Sequence, residues 1–301
     1  MTSSRSHKAS GRATPPLNDS APAGPVALYV VATPIGNLGD LSTRALATLK
    51  AVNAIACEDT RVTGGLLHRF AIETPMLAYH DHNAERMRPQ IIARLLAGES
   101  FALVSDAGTP LISDPGYKLV KDCVDNSIAV VPIPGPSAPL TALMAAGLPT
   151  DRFYFGGFLP AKTKARREVL ADVVGLKATL VFFESPHRVD ATLTDMAAVL
   201  GDRQAAIGRE LTKLHEEFRR GSLSILAQHY GQTTTKGEIV IVVTGAPDVD
   251  SGPSIDIDSA LRDAMTTLSL RDAADAVAKI SGAARREVYA RALALSKERS
   301  E

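Results

Sequence analysis

The sequence predicts an α/β protein made of two α/β domains followed by a small helical domain, and three observations carry the prediction. Between residues 28 and 146, short β-type runs alternate with helical patterns, the rhythm of βαβ units in a parallel sheet. After Gly147-Leu148-Pro149-Thr150, which reads as a hinge, the texture changes to runs rich in β-branched and aromatic residues, predicting four more strands at 153–155, 179–183, 205–208 and 238–243. Beyond a linker-like segment at 245–253 only helical patterns remain. The expected division is a disordered tail over 1–25, an N-terminal α/β domain over 26–147, a second over 148–246 and a helical domain over 254–301.

Each element has its own reason. Residues 1–25 are mostly small or polar, contain Pro15, Pro16, Pro22 and Pro25, and lack an apolar run of signal-peptide length. Residues 28–32 form the first apolar run, and Asp40 or Ser42 can cap a helix over 42–52. A helix over 84–96 is closed by Gly98, and residues 101–104 follow as a strand. Asp114 followed by Pro115 matches an N-cap with proline at the first helical position. The next strand, 128–131, leads to a helix opening at Ala138. In the second domain, helices over 163–174 and 189–200 separate the early strands. The helical domain reads as 259–268, 269 or 270 to 280, and 283–295, with Ser281-Gly282 resembling the turn of a helix-turn-helix.

Composition excludes several classes. At 301 residues and 45% hydrophobic, the chain buries a sizeable core; 33 Lys+Arg balance 33 Asp+Glu, so no global field announces a polyanionic partner. Two cysteines, Cys57 and Cys123, make neither a zinc spacing nor a disulfide framework, and a reducing cytoplasm is the expected compartment. No stretch approaches the ~20 apolar residues of a membrane helix. Neither Gly-x-Gly-x-x-Gly after a strand, nor a Gly-Lys-Ser/Thr loop, nor a Gly-x-Ser-x-Gly elbow occurs, which weakens dinucleotide, NTPase and hydrolase readings.

The chemistry concentrates in turns. Thr33-Pro34-Ile35-Gly36-Asn37, Ser105-Asp106-Ala107-Gly108-Thr109-Pro110 and Pro134-Gly135-Pro136-Ser137-Ala138 each follow an apolar run, where ligands of open α/β sheets bind. Asp106 can accept from ribose hydroxyls or an amino group, or cap its own turn; Ser137 can serve a ligand at a helix N-terminus, or act as a simple N-cap. Cys57-Glu58-Asp59-Thr60-Arg61 and Phe183-Glu184-Ser185-Pro186-His187-Arg188 place acid–base groups at two further strand ends. Of these, Glu58, Asp59, Glu184 and His187 are the candidates for a general base. The segment His80-Asp81-His82-Asn83 lacks partners for a metal set, and no metal is assigned. Arg61, Arg188, Arg209 and Lys213 sit beside strand ends where they suit phosphates. Lys162, Lys164, Arg166 and Arg167 form either a solvated face or a phosphate rail. From Lys279 onward six Lys/Arg face three Glu, so the last helix is basic.

These motifs, in this order, resemble the tetrapyrrole methylase superfamily, and specifically its branch that acts on ribosomal RNA; the resemblance covers about residues 28–243 and extends to the helix-turn-helix-like C-terminal domain. It implies two α/β domains of tetrapyrrole methylase type with S-adenosylmethionine between them, methyl transfer to the 2'-oxygen of a cytidine in the 16S rRNA decoding centre, and a homodimer. By position, the cofactor would meet Pro34, Ile35, Asp106, Gly108, Thr109, Pro110, Ser137, Ala138, Phe183 and Gly237. The first two turns lack the Gly-Asp-Pro wording and glycine density of tetrapyrrole-acting relatives, which favours RNA. Two alternatives stand beside this reading: methylation of a tetrapyrrole or corrin precursor, and a non-catalytic RNA-binding protein on the same fold.

Overall fold

Two five-stranded sheets, one parallel and one mixed, form the body of the protein, which the computed structural model describes over residues 26–247, 256–281 and 283–298. The expected tail over 1–25 lies outside the described residues, as do 248–255 and Gly282.

The chain starts with β1 (Ala27–Val31), a single 3-10 turn (Leu38–Asp40), α1 (Thr43–Ala51), β2 (Ala54–Cys57), α2 (Thr60–Arg69), β3 (Met76–Ala78), α3 (Ala84–Leu96), β4 (Phe101–Val104), α4 (Tyr117–Asp125) and β5 (Ala129–Ile133). All five strands pair in parallel in the order β3-β2-β4-β1-β5. Alternation along β1 sends Ala27, Tyr29 and Val31 to one face, against Leu49 of α1 and Leu67 of α2. Leu28 points to the other, against Ile91 and Leu95 of α3 and Leu119 of α4. Burial on both faces explains why the strands read as nearly continuous apolar runs. Ser42 caps α1, its hydroxyl accepting from the Ala45 N–H at 3.1 Å. Asp114 does not cap α4: that helix begins at Tyr117 after Gly116, whose φ of 133° only glycine adopts readily. Of the elements of this first sheet layer, α2 and β3 escaped the sequence reading. Gly64-Gly65 dilute the helical pattern of α2, and β3 is a three-residue edge strand.

Next come α5 (Ala138–Ala146), β6 (Phe153–Phe158), α6 (Thr163–Asp172), β7 (Thr179–Glu184), α7 (Val189–Leu200), β8 (Gln204–Arg209), β9 (Glu217–Ser222), α8 (Leu223–Gly231) and β10 (Ile239–Val243). The second sheet has the order β6-β7-β10-β8-β9; β6 and β7 are parallel and the other pairs antiparallel. β9 is a fifth strand where four were expected. Its sequence, Glu-Phe-Arg-Arg-Gly-Ser, lacks an apolar run because it lies at the sheet edge, where charged side chains are tolerated. One face of the sheet packs on Leu170 of α6, Leu193 and Met196 of α7 and Leu226 of α8. The other face, through Val181, Ala206, Val240 and Val242, packs on Ala142, Leu143 and Ala146 of α5.

α5 therefore follows the first sheet in sequence but rests on the second. Its end is fixed there: Gly147 adopts a left-handed φ of 75°, and Arg220 of β9 donates to the carbonyls of Ala145 at 2.5 Å and Ala146 at 3.1 Å. Thr179 Oγ1 donates to the Pro149 carbonyl at 2.6 Å. The segment that reads as a hinge is thus tied to the second sheet on both sides.

α9 (Ile257–Ala264), α10 (Leu270–Ser281) and α11 (Arg285–Glu298) share a small core of Leu261, Ala274, Val277, Val288, Ala292 and Leu295. The expected basic surface is partly spent internally, since Arg285 pairs with Asp275 and Arg291 with Asp258.

Within the Lys162–Arg167 run, Arg166 belongs to the interior: 3% exposed, it pairs at 2.5 Å with Asp195, which also binds Arg167. Removing one member of a buried pair strands the other charge, so Asp195→Ala should lower unfolding free energy by about 3–5 kcal/mol. Asp125→Asn, at the exposed Lys121–Asp125 pair, should change it by less than about 0.5 kcal/mol. Urea unfolding of the two variants checks the contrast.

Candidate active site

Because the first sheet is parallel, the carboxyl ends of β4, β1 and β5 lie side by side, and the three Gly/Pro turns leave from these three neighbouring strands. Backbone hydrogen bonds join them. The Thr33 N–H donates to the Gly108 carbonyl at 2.8 Å and the Gly108 N–H to the Thr33 carbonyl at 3.1 Å. Thr109 Oγ1 then donates to the Pro136 carbonyl at 2.9 Å, tying the second turn to the third. Gly108 has a φ of 86°, and a Cβ there would lie 3.1 Å from Ile35 Cγ2, so the close approach of the first two turns calls for glycine.

The second sheet supplies the opposite wall. Since β10 runs antiparallel to β7, with Ile239 opposite Glu184, the end of β7 and the start of β10 meet at one edge. Phe158 closes β6 beside them and tilts against Phe183, ring centroids 5.3 Å apart. Between the walls is a cleft of about 350 Å³, within the ~300–1,000 Å³ usual for small-molecule sites.

Of the expected cofactor contacts, Ile35, Gly108, Thr109, Ser137, Ala138, Phe183 and Gly237 line this cleft. Pro34 and Pro110 are buried and support the turns from within. Asp106 Oδ1 accepts from the Asp59 N–H at 3.1 Å, joining the ends of β4 and β2. Ser137 occupies the N-cap position of α5, yet its side chain makes no capping hydrogen bond, leaving the hydroxyl for the cleft it lines.

The expected acid–base groups occupy four different environments. Asp59 caps α2 and pairs with Arg61 at 2.6 Å; the hydrogen bonds from Arg61 hold its carboxyl down to about 2. Glu184 is buried on the cleft wall, accepting from Arg188 Nε at 2.8 Å, Thr192 Oγ1 at 2.6 Å and the Ser185 N–H at 2.7 Å. His187 is exposed and does not line the cleft. Glu58 is half-buried, and burial followed by the charges of Asp106 and Asp81 raises its pKa.

The four expected phosphate ligands are all ion-paired. Arg61 is 89% exposed on the side-chain scale despite its bond to Asp59. Arg188 serves Glu184 and the Leu159 carbonyl, and Arg209 binds Glu217 at 3.0 Å. Lys213 bridges Glu210 and Glu238, both at 2.9 Å, and its stem packs over Gly36, where a Cβ would overlap it.

Among the cleft residues that sequence reasoning passed over are Asp114, Glu238 and Phe158. Asp114 was obscured by the proline after it, which mimics a helix start. Its pKa is pushed up to about 6, by burial first and then by the negative charges of Glu58 and Asp106. Leu111 and Ser113, on the same loop, have left-handed φ values of 72° and 67°, each costing on the order of 1–3 kcal/mol for a non-glycine residue. Among the described residues, no group of three His, Cys, Asp or Glu is arranged to hold a metal ion, and no helix is long and apolar enough to cross a membrane.

The chain matches the family of tetrapyrrole (corrin/porphyrin) methylases over residues 27–227 and the RsmI C-terminal HTH domain over 251–296. It is 51% identical over 278 residues to the ribosomal RNA small subunit methyltransferase I of Mesorhizobium japonicum, covering 91% of this chain and 94% of that one. Among solved structures, a cobalt precorrin-4 methyltransferase of cobalamin biosynthesis superposes with a TM-score of 0.56 at 16% identity, over 73% of this chain and 95% of that one. A uroporphyrin-III C-methyltransferase from Thermus thermophilus, solved with S-adenosylhomocysteine, has a TM-score of 0.50 at 17% identity, over 72% and 96% of the two chains. The structural likeness establishes the fold; the two family matches, together with identity over nearly the whole chain, establish that it belongs to the ribosomal RNA small subunit methyltransferase I family.

Proposed function

We propose that this protein transfers the methyl group of S-adenosylmethionine to the 2'-oxygen of a cytidine in 16S rRNA, in the cytoplasm, and does so as a homodimer acting on the small ribosomal subunit. The observation that carries the RNA reading is the pairing, on one chain, of a methylase cleft with the C-terminal helix-turn-helix unit of the rRNA-modifying relatives. A small tetrapyrrole gives such an appendage nothing to bind.

The cleft suits the cofactor's chemistry. Ser137 and the N-terminus of α5 offer donors and a positive dipole end to its carboxylate. Ile35, Ala138, Phe183 and Val240 give apolar surface for adenosine. Bound there, S-adenosylmethionine supplies an electrophilic methyl carbon. The protein's own contribution is to hold the ribose oxygen in line, exclude water and take up a proton. Arg61, Arg188, Arg209 and Lys213 are the proposed phosphate contacts, with Arg61 the most exposed.

The deciding experiment supplies labelled S-adenosylmethionine and small-subunit particles from a strain lacking the enzyme. Label is expected at a cytidine 2'-O-methyl of 16S rRNA; label in tetrapyrrole precursors but not RNA would replace this reading with the corrin alternative, and absence of cofactor binding would leave an RNA-binding protein. Ser137→Ala should weaken S-adenosylmethionine binding by calorimetry roughly two- to tenfold, the worth of one hydrogen bond, without lowering the melting temperature. Arg61→Ala should weaken RNA binding and reduce the magnitude of the slope of log affinity against log salt by about 0.7–1, the signature of one phosphate contact.

A further inference from the structure

Three carboxylates line the cleft, and two are already committed. Glu184 spends its oxygens on Arg188, Thr192 and the Ser185 N–H, so protonating it would strand the Arg188 guanidinium. Glu238, 75% exposed on the side-chain scale, is held by Lys213 at 2.9 Å. Asp114 has no ion-pair partner among the described residues, and the loop between β4 and α4 places it opposite the Phe183–Pro186 wall. Asp59 and His187 do not line the cleft, nor does Glu58. The geometry points to Asp114 as the group that takes the proton of the ribose hydroxyl during methyl transfer, an assignment that rests on the ribose methylation proposed above.

The step balances in atoms and charge. As the 2'-oxygen attacks, its O–H proton passes to an Asp114 carboxylate oxygen and an electron pair of the oxygen forms the new C–O bond. The S–CH3 bond breaks with its pair left on sulfur, so a carboxylate and a sulfonium are replaced by a carboxylic acid and a neutral thioether. Charge is thereby annihilated in a partly buried site where isolated charges are costly. The surroundings favour the protonation. Burial raises the Asp114 carboxyl first, and Glu58 from the end of β2 and Asp106 from the second turn add negative charge, against a smaller opposing hydrogen bond with Ser105. Across the cleft, the positive charges of Arg188 and Lys213 are each matched by a glutamate. A base titrating near the working pH is the efficient kind.

Single-turnover methylation of 16S rRNA in small-subunit particles, followed from pH 5 to 9, tests the assignment in the wild-type protein. The rate should rise tenfold per pH unit at low pH and level off above an inflection near 6. Asp114→Asn should lower the rate constant roughly 10²–10⁴-fold and abolish that inflection, with S-adenosylmethionine and RNA affinities within about threefold of wild type. Carboxyl carbon NMR of the unloaded protein, with the Asp114 signal assigned from its loss in Asp114→Asn or Asp114→Glu, should show one aspartate titrating near 6. A wild-type rate without the inflection, a variant rate within threefold of wild type, or an affinity loss that accounts for the whole effect would each overturn the assignment. The last outcome would make Asp114 a cofactor ligand. Wild-type protein that methylates no 16S rRNA would instead remove the functional reading on which the assignment rests.

Discussion

Thr33 and Gly108 exchange two backbone hydrogen bonds, and the geometry of the whole cleft depends on that exchange. Each residue sits just beyond the end of its strand, where backbone groups would otherwise turn to water. By satisfying each other they join the β1 and β4 turns. Thr33 Oγ1 adds a bond to the Ser105 carbonyl at 3.2 Å, and the Thr109 bond to Pro136 extends the framework to the β5 turn. Proline at positions 34, 110, 134 and 136 removes much of the conformational freedom that ordering these loops would otherwise cost. The result is a preorganised floor, held by the sheet beneath it.

The second half of the site is positioned by α5. That helix leaves the third turn and lays Ala142, Leu143 and Ala146 on the second sheet, so the turn bearing Ser137 is set in place from both sides. Ile35 of the first turn joins the same apolar cluster. Any displacement of the second sheet would therefore disturb the first two turns and the third together. The wall formed by β7 and β10 comes with this packing, since their antiparallel pairing brings Phe183, Glu184 and Gly237 to the edge that α5 faces.

Electrostatics divide along the same line. Arginines that look available in sequence are mostly engaged within the fold: Arg166 with Asp195, Arg188 with Glu184, Arg209 with Glu217. These pairs hold loops at strand ends and stabilise the cleft walls. The negative charges of Glu58, Asp106 and Asp114 instead gather at the ends of β2 and β4 with fewer cations to balance them, and together with burial, the larger cause, they hold the Asp114 carboxyl well above the ordinary carboxylate range. Exposed Arg61 lies at the margin of this acidic group, beside the Asp59 cap.

The sequence by itself determined the strands that are buried on both faces, the helices with clear caps such as Ser42, the three turns, and the class of ligand those turns accept. These are local properties: apolar continuity, capping chemistry and Gly/Pro placement act within a few residues. It did not reveal β9, because a charged edge strand carries no apolar pattern, nor α2, whose glycines break the helical one. Tertiary structure alone decided that the three turns come from adjacent strands, that α5 serves the second sheet, that Arg166 is interior, and that Asp114 lines the cleft instead of capping a helix. Each of these depends on residues far apart in the chain. Asp114 next to Pro115 has the local signature of a helix start; only the approach of Glu58, Asp106 and the β7 wall gives its carboxylate an environment in which taking a proton is favourable.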